Sequence, residues 1–204
     1  MDNVSIVSVY RNPVWEKSEA VSFLKKHSCK VSLNYCKQAP NEDELIEILN
    51  QADGLITSSF PYSKRVLSNL GRLKIISRTG VGFDAIDVDA ATENGICVTT
   101  TPGANSDSVA DHAIGLILSL ARHISRGDKD IRSGNWSPQV GIEVSKKTLG
   151  IVGFGSIGRC VAKRGAGFGM KLLAYDLFQD ATFAAEHNIT YLPLNELLAQ
   201  ADFV

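Results

Sequence analysis

Three glycines, Gly153, Gly155 and Gly158, stand in a G-x-G-x-x-G pattern between a short apolar run and an amphipathic one. A glycine-rich turn that opens a helix presents unpaired backbone N–H groups and the positive end of the helix dipole, and both attract phosphate groups. Gly153 allows the tight turn, Gly155 lets a pyrophosphate approach the backbone, and Gly158 lets helix and strand pack closely. The acidic residue Asp176, which stands 18 positions beyond Gly158, can accept hydrogen bonds from the hydroxyls of an adenine ribose. The pattern predicts a dinucleotide-binding site. The alternative interpretation is an ordinary glycine-rich turn that binds no ligand.

The segments around these glycines can position such a site. Residues 149–152 are apolar and β-prone, residues 156–167 form an amphipathic helix, and residues 171–175 predict a second strand that ends at Asp176. Strand, helix and strand in this order make half of a Rossmann fold. The carboxylate would repel a 2′-phosphate, and residues 177–179 contain no arginine to bind one, so we expect NAD(H) in preference to NADP(H).

The composition excludes several classes of partner. The chain has 204 residues, 44% of them hydrophobic, and 21 basic residues against 22 acidic ones give a net charge of −1. This balance offers no electrostatic basis for binding nucleic acid or an anionic membrane. Its four cysteines form no C-x-x-C pair and no metal-ligand spacing, which favours a reduced, cytoplasmic protein without a bound metal.

The rest of the chain alternates between strand and helix patterns up to about residue 100. Repeated βα units imply a mainly parallel sheet. We therefore expect an α/β protein with two Rossmann-like domains: a flavodoxin-like one over residues 1–102 and a dinucleotide-binding one over residues 103–204. Phe203 and Val204 look like the start of a further strand, so the second domain is expected to be incomplete. The predicted strands are 4–9, 31–33, 54–57, 74–77 and 96–99, and the predicted helices are 15–27, 42–49 and 63–67.

A second glycine-containing loop, residues 78–87, follows one of these strands. Ligand loops of α/β sheets lie at the carboxyl ends of strands. The consecutive backbone N–H groups of Gly80, Val81 and Gly82 could together form a concave group of donors for a carboxylate. The equal alternative is a strand-to-helix turn in which Asp87 caps the helix.

Residues 106–125 predict one long helix, capped by Ser106 or Ser108. It follows a Pro/Gly/Asn/Ser cluster at residues 101–108 that suggests a hinge. Because the helix is apolar nearly all round, we expect it to be buried between domains or subunits, in at least a homodimer. Trp136, in the polar segment beyond it, fits a subunit contact or, equally, a surface loop.

Three segments in this order resemble the D-isomer-specific 2-hydroxyacid dehydrogenases, with the phosphoglycerate dehydrogenase branch most similar. They are RTGVGFDAID at residues 78–87, TPGANSDSVADHAIGLILSLAR at residues 101–122, and the glycine motif with its strand ending in AYD at Asp176. The resemblance covers the whole chain. It implies a substrate domain interrupted by an inserted NAD-binding domain, and dimers formed through the latter.

The resemblance also implies the roles of individual residues. The loop Gly80, Val81 and Gly82 meets the substrate carboxylate, Val81 also lies near the nicotinamide, and Asn105 lines the same cleft. Ser156 and Ile157 supply backbone donors to the pyrophosphate. The implied cofactor-binding residues are Val81, Gly153, Gly155, Ser156, Ile157, Gly158 and Asp176.

The chain departs from the family pattern in its catalytic residues. The arginine, glutamate and histidine of the family follow the cofactor motif, and nothing here matches them. We therefore expect a truncated chain, with none of its four histidines catalytic. His112 and His123 are expected on the buried helix. The Arg-Ser pair that phosphoglycerate enzymes use for the substrate phosphate is also missing, since residues 57–61 read TSSFP.

The reaction implied for the family is hydride transfer between a nicotinamide and C2 of a D-2-hydroxy acid. Two alternatives stay open: a non-enzymatic NAD-binding regulator of the corepressor type, and an inactive truncated product.

Overall fold

The computed structural model describes residues 4–10, 16 and 18–204, and these form two compact units, Met1–Pro102 and Gly103–Val204. Both units are built from α-helices and parallel strands, which confirms the expected α/β class. In the described part of the chain, no helix is long and apolar enough to cross a membrane. The same residues contain no cluster of His, Cys, Asp and Glu that could hold a metal ion.

The first unit contains a five-stranded parallel sheet with the strand order β2-β1-β3-β4-β5. This is the flavodoxin-like order, as expected. The beginning of the helix predicted from residue 15 lies outside the described residues. The strands are β1 (Ser5–Tyr10), β2 (Lys30–Tyr35), β3 (Gly54–Thr57), β4 (Ile75–Arg78) and β5 (Cys97–Thr99), and the helices are α1 (Glu19–Lys26), α2 (Glu42–Leu49), α3 (Lys64–Ser68) and α4 (Val88–Glu93).

Side-chain caps fix where the short helices of this unit begin. Asn41 accepts a hydrogen bond from the N–H of Glu44 (3.0 Å), and the Glu44 carboxylate accepts one from the N–H of Asn41 (2.8 Å), which completes a capping box. Asp87 caps α4 by accepting from the N–H of Ala90 at 2.9 Å. A cap supports a short helix because its first N–H groups have no partner within the helix.

The second unit contains a three-stranded parallel sheet in the order β6-β7-β8. Phe203 adds a parallel bridge to Leu149, so that the last residues of the chain lie along the other edge of β6. The strands are β6 (Thr148–Val152), β7 (Lys171–Tyr175) and β8 (Ile189–Tyr191), and the helices are α5 (Ser106–Ala121), α6 (Ile124–Arg132), α7 (Ser156–Gly167), α8 (Ala181–Glu186) and α9 (Leu194–Gln200).

The prediction of one helix over residues 106–125 is wrong. His123 adopts a left-handed conformation with φ of 55° between α5 and α6, which ends the first helix and starts the second. Neither Ser106 nor Ser108 is the cap: Asn105 occupies the N-cap position and makes no side-chain hydrogen bond there.

The burial of this segment between domains or subunits stays a prediction, because the structure describes a single chain. Only one face of α5 is buried, where it packs on α7 with Ala110 and Ile114 in the core. The opposite face leaves Leu116 and Leu120 exposed by 57% and 74%. His112 is also exposed, because a helix packed against one side of its unit buries only the stripe that faces that side.

Candidate functional site

The glycine-rich turn joins β6 to α7, as its sequence predicts. Gly153 has φ of 89°, a conformation that residues with a side chain adopt with strain. A Cβ on Gly158 would lie closer to the carbonyl oxygen of Gly153 than the 3.0 Å that real Cβ atoms respect, and 3.2 Å from Cγ2 of Ile151. The geometry of the protein therefore accounts for two of the three glycines.

Gly155 differs from the other two, because protein packing gives no reason for it. It is extended at the N-cap of α7, and a Cβ placed on it would meet no atom of the described residues within 4 Å. No side chain caps α7, so the first N–H groups of the helix, those of Ser156 and Ile157, have no partner within the helix or from a cap. The turn thus offers an open approach to a set of hydrogen-bond donors at the positive end of a helix, which suits a phosphate.

Asp176 follows β7 and lies directly beside this turn. Its Oδ2 accepts a hydrogen bond from the N–H of Phe154 at 2.6 Å, and its Oδ1 accepts one from the N–H of Phe178 at 2.9 Å. The hydrogen bonds from Phe178 and from Phe154 hold the pKa of Asp176 below its ordinary value. The carboxylate is therefore ionised, and it keeps further lone pairs with which to accept hydrogen bonds from hydroxyl groups.

Arg159 joins the glycine-rich turn to the loop beyond Asp176, a role that the sequence did not indicate. Its Nη1 lies 2.8 Å from Oδ2 of Asp180, its Nε donates to the carbonyl oxygen of Phe154 at 3.5 Å, and its guanidinium carbon lies 4.8 Å from the ring centre of Phe183. The sequence contained one signal for this role: Arg159 stands four residues after Gly155, which places it one helical turn beyond the glycine-rich turn. These contacts hold the turn and the loop together as one surface.

In the first unit, residues 79–81 leave the carboxyl end of β4 as a bend, and Gly82 follows directly. The N–H of Thr101 donates to the carbonyl oxygen of Gly80 at 3.0 Å and fixes this bend. Within the described residues, the N–H groups of Gly80, Val81 and Gly82 donate to no other group. The cap by Asp87 is present as well, so the turn contains a helix cap and also presents three donors.

A group of hydroxyls lies below this bend at the carboxyl end of the sheet. The hydroxyl of Tyr10 donates to Oγ1 of Thr79 at 2.9 Å, and Thr79 donates to the carbonyl oxygen of Thr57 at 3.1 Å. Oγ1 of Thr57 lies 2.7 Å from the hydroxyl of Tyr62. Burial raises the pKa of Tyr10 to about 12, so this phenol is neutral. The hydroxyls position the first residue of the bend without adding charge to it.

Asn105 lies in the second unit, exposed at the N-cap of α5. Its place beside the substrate remains a prediction.

Comparison with known proteins gives a consistent result. The family model described as D-isomer specific 2-hydroxyacid dehydrogenase, catalytic domain, matches residues 7–201. A glyoxylate reductase of Pyrococcus furiosus is 40% identical over 178 residues, which cover 82% of this chain and 53% of that protein. A D-3-phosphoglycerate dehydrogenase of Mycobacterium tuberculosis is 41% identical over 168 residues, which cover 81% of this chain and 32% of that protein.

Among solved structures, a D-lactate dehydrogenase from Aquifex aeolicus, complexed with NAD and lactic acid, matches with a TM-score of 0.75 and 32% identity. The match covers 96% of this chain and 58% of that one. The chain thus spans about half the length of the glyoxylate reductase and of the lactate dehydrogenase that it matches, and less of the phosphoglycerate enzyme. The family model matches nearly the whole length of the chain, and the glycine-rich turn and the two parallel sheets agree with that match. The chain therefore belongs to the D-isomer specific 2-hydroxyacid dehydrogenases.

Proposed function

We propose that this chain supplies the cofactor-binding and carboxylate-binding parts of an NAD-dependent oxidoreductase that acts on the CH–OH group of D-2-hydroxy acids. The observation that carries this proposal is the open approach at Gly155, between the free N-terminus of α7 and the ionised Asp176. A glycine that the protein fold does not require, next to unpaired N–H groups, fits a pyrophosphate.

The cofactor that these residues fit is NAD(H), which supplies the hydride acceptor or donor of the reaction. Gly153, Gly155 and Gly158 shape the turn, Ser156 and Ile157 donate to the pyrophosphate, and Asp176 accepts from the adenine ribose hydroxyls. Asp176 is already held in place by two backbone N–H groups, so its position does not depend on the cofactor. This negative charge disfavours a 2′-phosphate, which supports NAD(H) in preference to NADP(H).

In this proposal, residues 1–102 are the N-terminal part of the substrate domain and residues 103–204 belong to the NAD-binding domain. The free N–H groups of Gly80, Val81 and Gly82 bind the carboxylate of a small 2-hydroxy or 2-keto acid, with Val81 near the nicotinamide and Asn105 lining the same cleft. The relatives named above act on different acids of this class. Because the Arg-Ser pair for a substrate phosphate is missing at residues 57–61, phosphoglycerate is the less favoured substrate.

The four cysteines are free thiols within the described part of the chain. This supports a cytoplasmic location, where thiols stay reduced.

Assembly is the second part of the proposal: we expect a homodimer formed through residues 103–204. Large apolar side chains in this unit are exposed, among them Leu120 by 74%, Trp136 by 84% and Val140 by 96%. Exposed apolar groups of this size suit a subunit interface.

Sedimentation at micromolar concentration should show a dimer, and Trp136→Ser should raise the dissociation constant of that dimer. Phe23→Ser, a control in the first unit at an apolar side chain exposed by 61%, should leave dissociation unchanged. A wild-type chain that stays monomeric contradicts this part of the proposal.

The cofactor site can be tested with a pair of glycine variants. Among the residues that the structure describes, no atom lies within 4 Å of a Cβ built on Gly155 or on Gly167, so both Gly155→Ala and Gly167→Ala should fold normally. Only the first places a methyl group where the pyrophosphate approaches the backbone. Calorimetric titration with NAD should show binding to wild type and Gly167→Ala, and binding at least about tenfold weaker to Gly155→Ala. Equal NAD affinity in all three chains would refute the assignment.

A further inference from the structure

Arg159 is the fourth residue of α7, and its side chain lies beside the glycine-rich turn. Its Nε donates to the carbonyl oxygen of Phe154 at 3.5 Å, and the N–H of Phe154 donates to Oδ2 of Asp176 at 2.6 Å. Because both groups bond the same residue, the dimensions of the backbone place Nε of Arg159 within about 10 Å of the Asp176 carboxylate. The pKa of Asp176 is lowered first by the hydrogen bonds from Phe178 and Phe154, and the charge of Arg159 adds to this effect. A cation therefore lies near the carboxylate that the proposed function assigns to the adenine ribose.

Asp180 holds this cation in an ion pair. Nη1 of Arg159 lies 2.8 Å from Oδ2 of Asp180, and both side chains are 36% exposed. The other oxygen of the carboxylate, Oδ1, accepts a hydrogen bond from the N–H of Phe183 at 3.0 Å, and the N–H of Asp180 donates to the hydroxyl of Tyr191 at 3.2 Å. Asp180 is thus fixed by contacts of its own. The partial exposure of Arg159 leaves its guanidinium room to move once the charge of Asp180 is removed.

Both kinds of group that distinguish the two cofactors are therefore present at this turn. A nearby carboxylate bonds the ribose 2′-hydroxyl of NAD, whereas a nearby arginine accommodates the 2′-phosphate of NADP. We infer that the ion pair between Arg159 and Asp180 is a second determinant of cofactor choice, which keeps Arg159 from binding a 2′-phosphate. This inference rests on the proposed function and adds to the direct repulsion of that phosphate by Asp176. A guanidinium released by Asp180 presents a planar fork of donors that matches two phosphate oxygens.

The test compares NADP with NAD, which differ only in that phosphate. Calorimetric titration of the 204-residue chain gives the ratio of the two affinities, in which any damage common to both cofactors cancels. Asp180→Asn removes the charge and keeps an oxygen that can accept from the N–H of Phe183, since asparagine is an effective N-cap. We expect it to shift the ratio toward NADP by about tenfold or more. The shift is measured in the Asp176→Ala background, where the direct repulsion of the phosphate is absent.

Further variants separate the release of Arg159 from the loss of a negative charge. Arg159→Gln, added to Asp176→Ala and Asp180→Asn, should cancel the gain, because the gain requires the guanidinium. Asp128→Asn is the control and should leave the ratio unchanged. It makes the same change of charge in the same unit and releases Arg132 from an ion pair with an N–O distance of 2.9 Å. Asp180→Ser, which also keeps a capping side chain, repeats the test if Asp180→Asn loses its thermal unfolding transition.

The outcomes distinguish this inference from the proposed function. An unchanged ratio in Asp180→Asn and Asp180→Ser overturns the inference, and so does a gain that persists with Arg159→Gln. If wild type binds NAD and either of these results is found, the cofactor assignment stands without the ion pair. If wild type does not bind NAD but the variants bind NADP through Arg159, the inference stands and the assignment of NAD fails. If no chain binds either cofactor, both fail.

Discussion

Gly158→Ala tests whether the contact between α7 and the glycine-rich turn holds the second unit together. The new methyl group would collide with the carbonyl oxygen of Gly153 and crowd Ile151, whose Cγ2 would lie 3.2 Å away. Backbone atoms cannot rotate away as a side-chain end can, so α7 or the turn must move.

The magnitude follows from two opposing effects. Overpacking of this kind destabilises a protein by about 1–3 kcal/mol, whereas replacing glycine by alanine inside a helix stabilises it by about 1 kcal/mol. The matched control is Gly167→Ala in the same helix, where a Cβ meets nothing within 4 Å in the described part of the chain, so it should show only the stabilising effect. The helix contribution largely cancels between the two variants, and Gly158→Ala should be less stable than Gly167→Ala by about 1–3 kcal/mol.

Urea unfolding of the 204-residue chain, followed by far-UV circular dichroism and fitted with a separate transition for each unit, measures this difference. A domain of about 100 residues changes its Tm by roughly 4–8 °C for each kcal/mol, so a thermal melt should resolve it as well. Gly158→Ala should also bind NAD more weakly, because the turn moves. Equal stability of the two variants, or a more stable Gly158→Ala, would refute the reasoning that close packing requires this glycine.

Three further outcomes are expected, two that concern Asp176 and one that concerns turnover by the 204-residue chain. Asp176→Ala should narrow the preference for NAD over NADP in paired calorimetric titrations, because it removes the charge that repels a 2′-phosphate; equal or tighter NADP binding by wild type would contradict this. The hydrogen bonds from Phe178 and Phe154 lower the pKa of Asp176, so its stabilising effect is present above the ordinary aspartate value of about 3.9 and is lost as the pH falls through its lower folded value. Urea unfolding between about pH 2 and pH 6 should show that loss in wild type and not in Asp176→Ala. The 204-residue chain should show no turnover in an NADH absorbance assay with glyoxylate, hydroxypyruvate or 3-phosphohydroxypyruvate, since loss of a general acid–base alone lowers rates about 10²–10⁴-fold; turnover above a protein-free control and lost in Asp176→Ala would place catalytic groups within these residues.

Elements with a clear local pattern were predicted closely. The helix over residues 156–167 and the strand over residues 171–175 have the bounds of α7 and β7, because turn glycines and an apolar run mark their ends within a few residues. The helix over residues 42–49 agrees with α2 for the same reason, since its capping box is contained in four consecutive residues.

Prediction failed where the deciding contacts come from elsewhere in the chain. The apolar run of residues 106–125 gave no sign of the left-handed His123 that divides it, and periodicity alone cannot show which face of α5 packs on α7. The helix α6 was missed because its sequence is polar and has no capping side chain at its start.

The sequence by itself determined the family, the parallel α/β architecture and the glycines and acid of the cofactor motif, because each depends on residue type and short spacing. Only the tertiary structure decided that Asp176 is held by the N–H of Phe154, 22 residues away, and that Arg159 pairs with Asp180, 21 residues away. It also decided that the guanidinium of Arg78 lies against the place where Gly80 lacks a side chain. Hydrogen bonds and contacts of this kind depend on how the strands and helices are brought together, and spacing along the chain does not encode those distances.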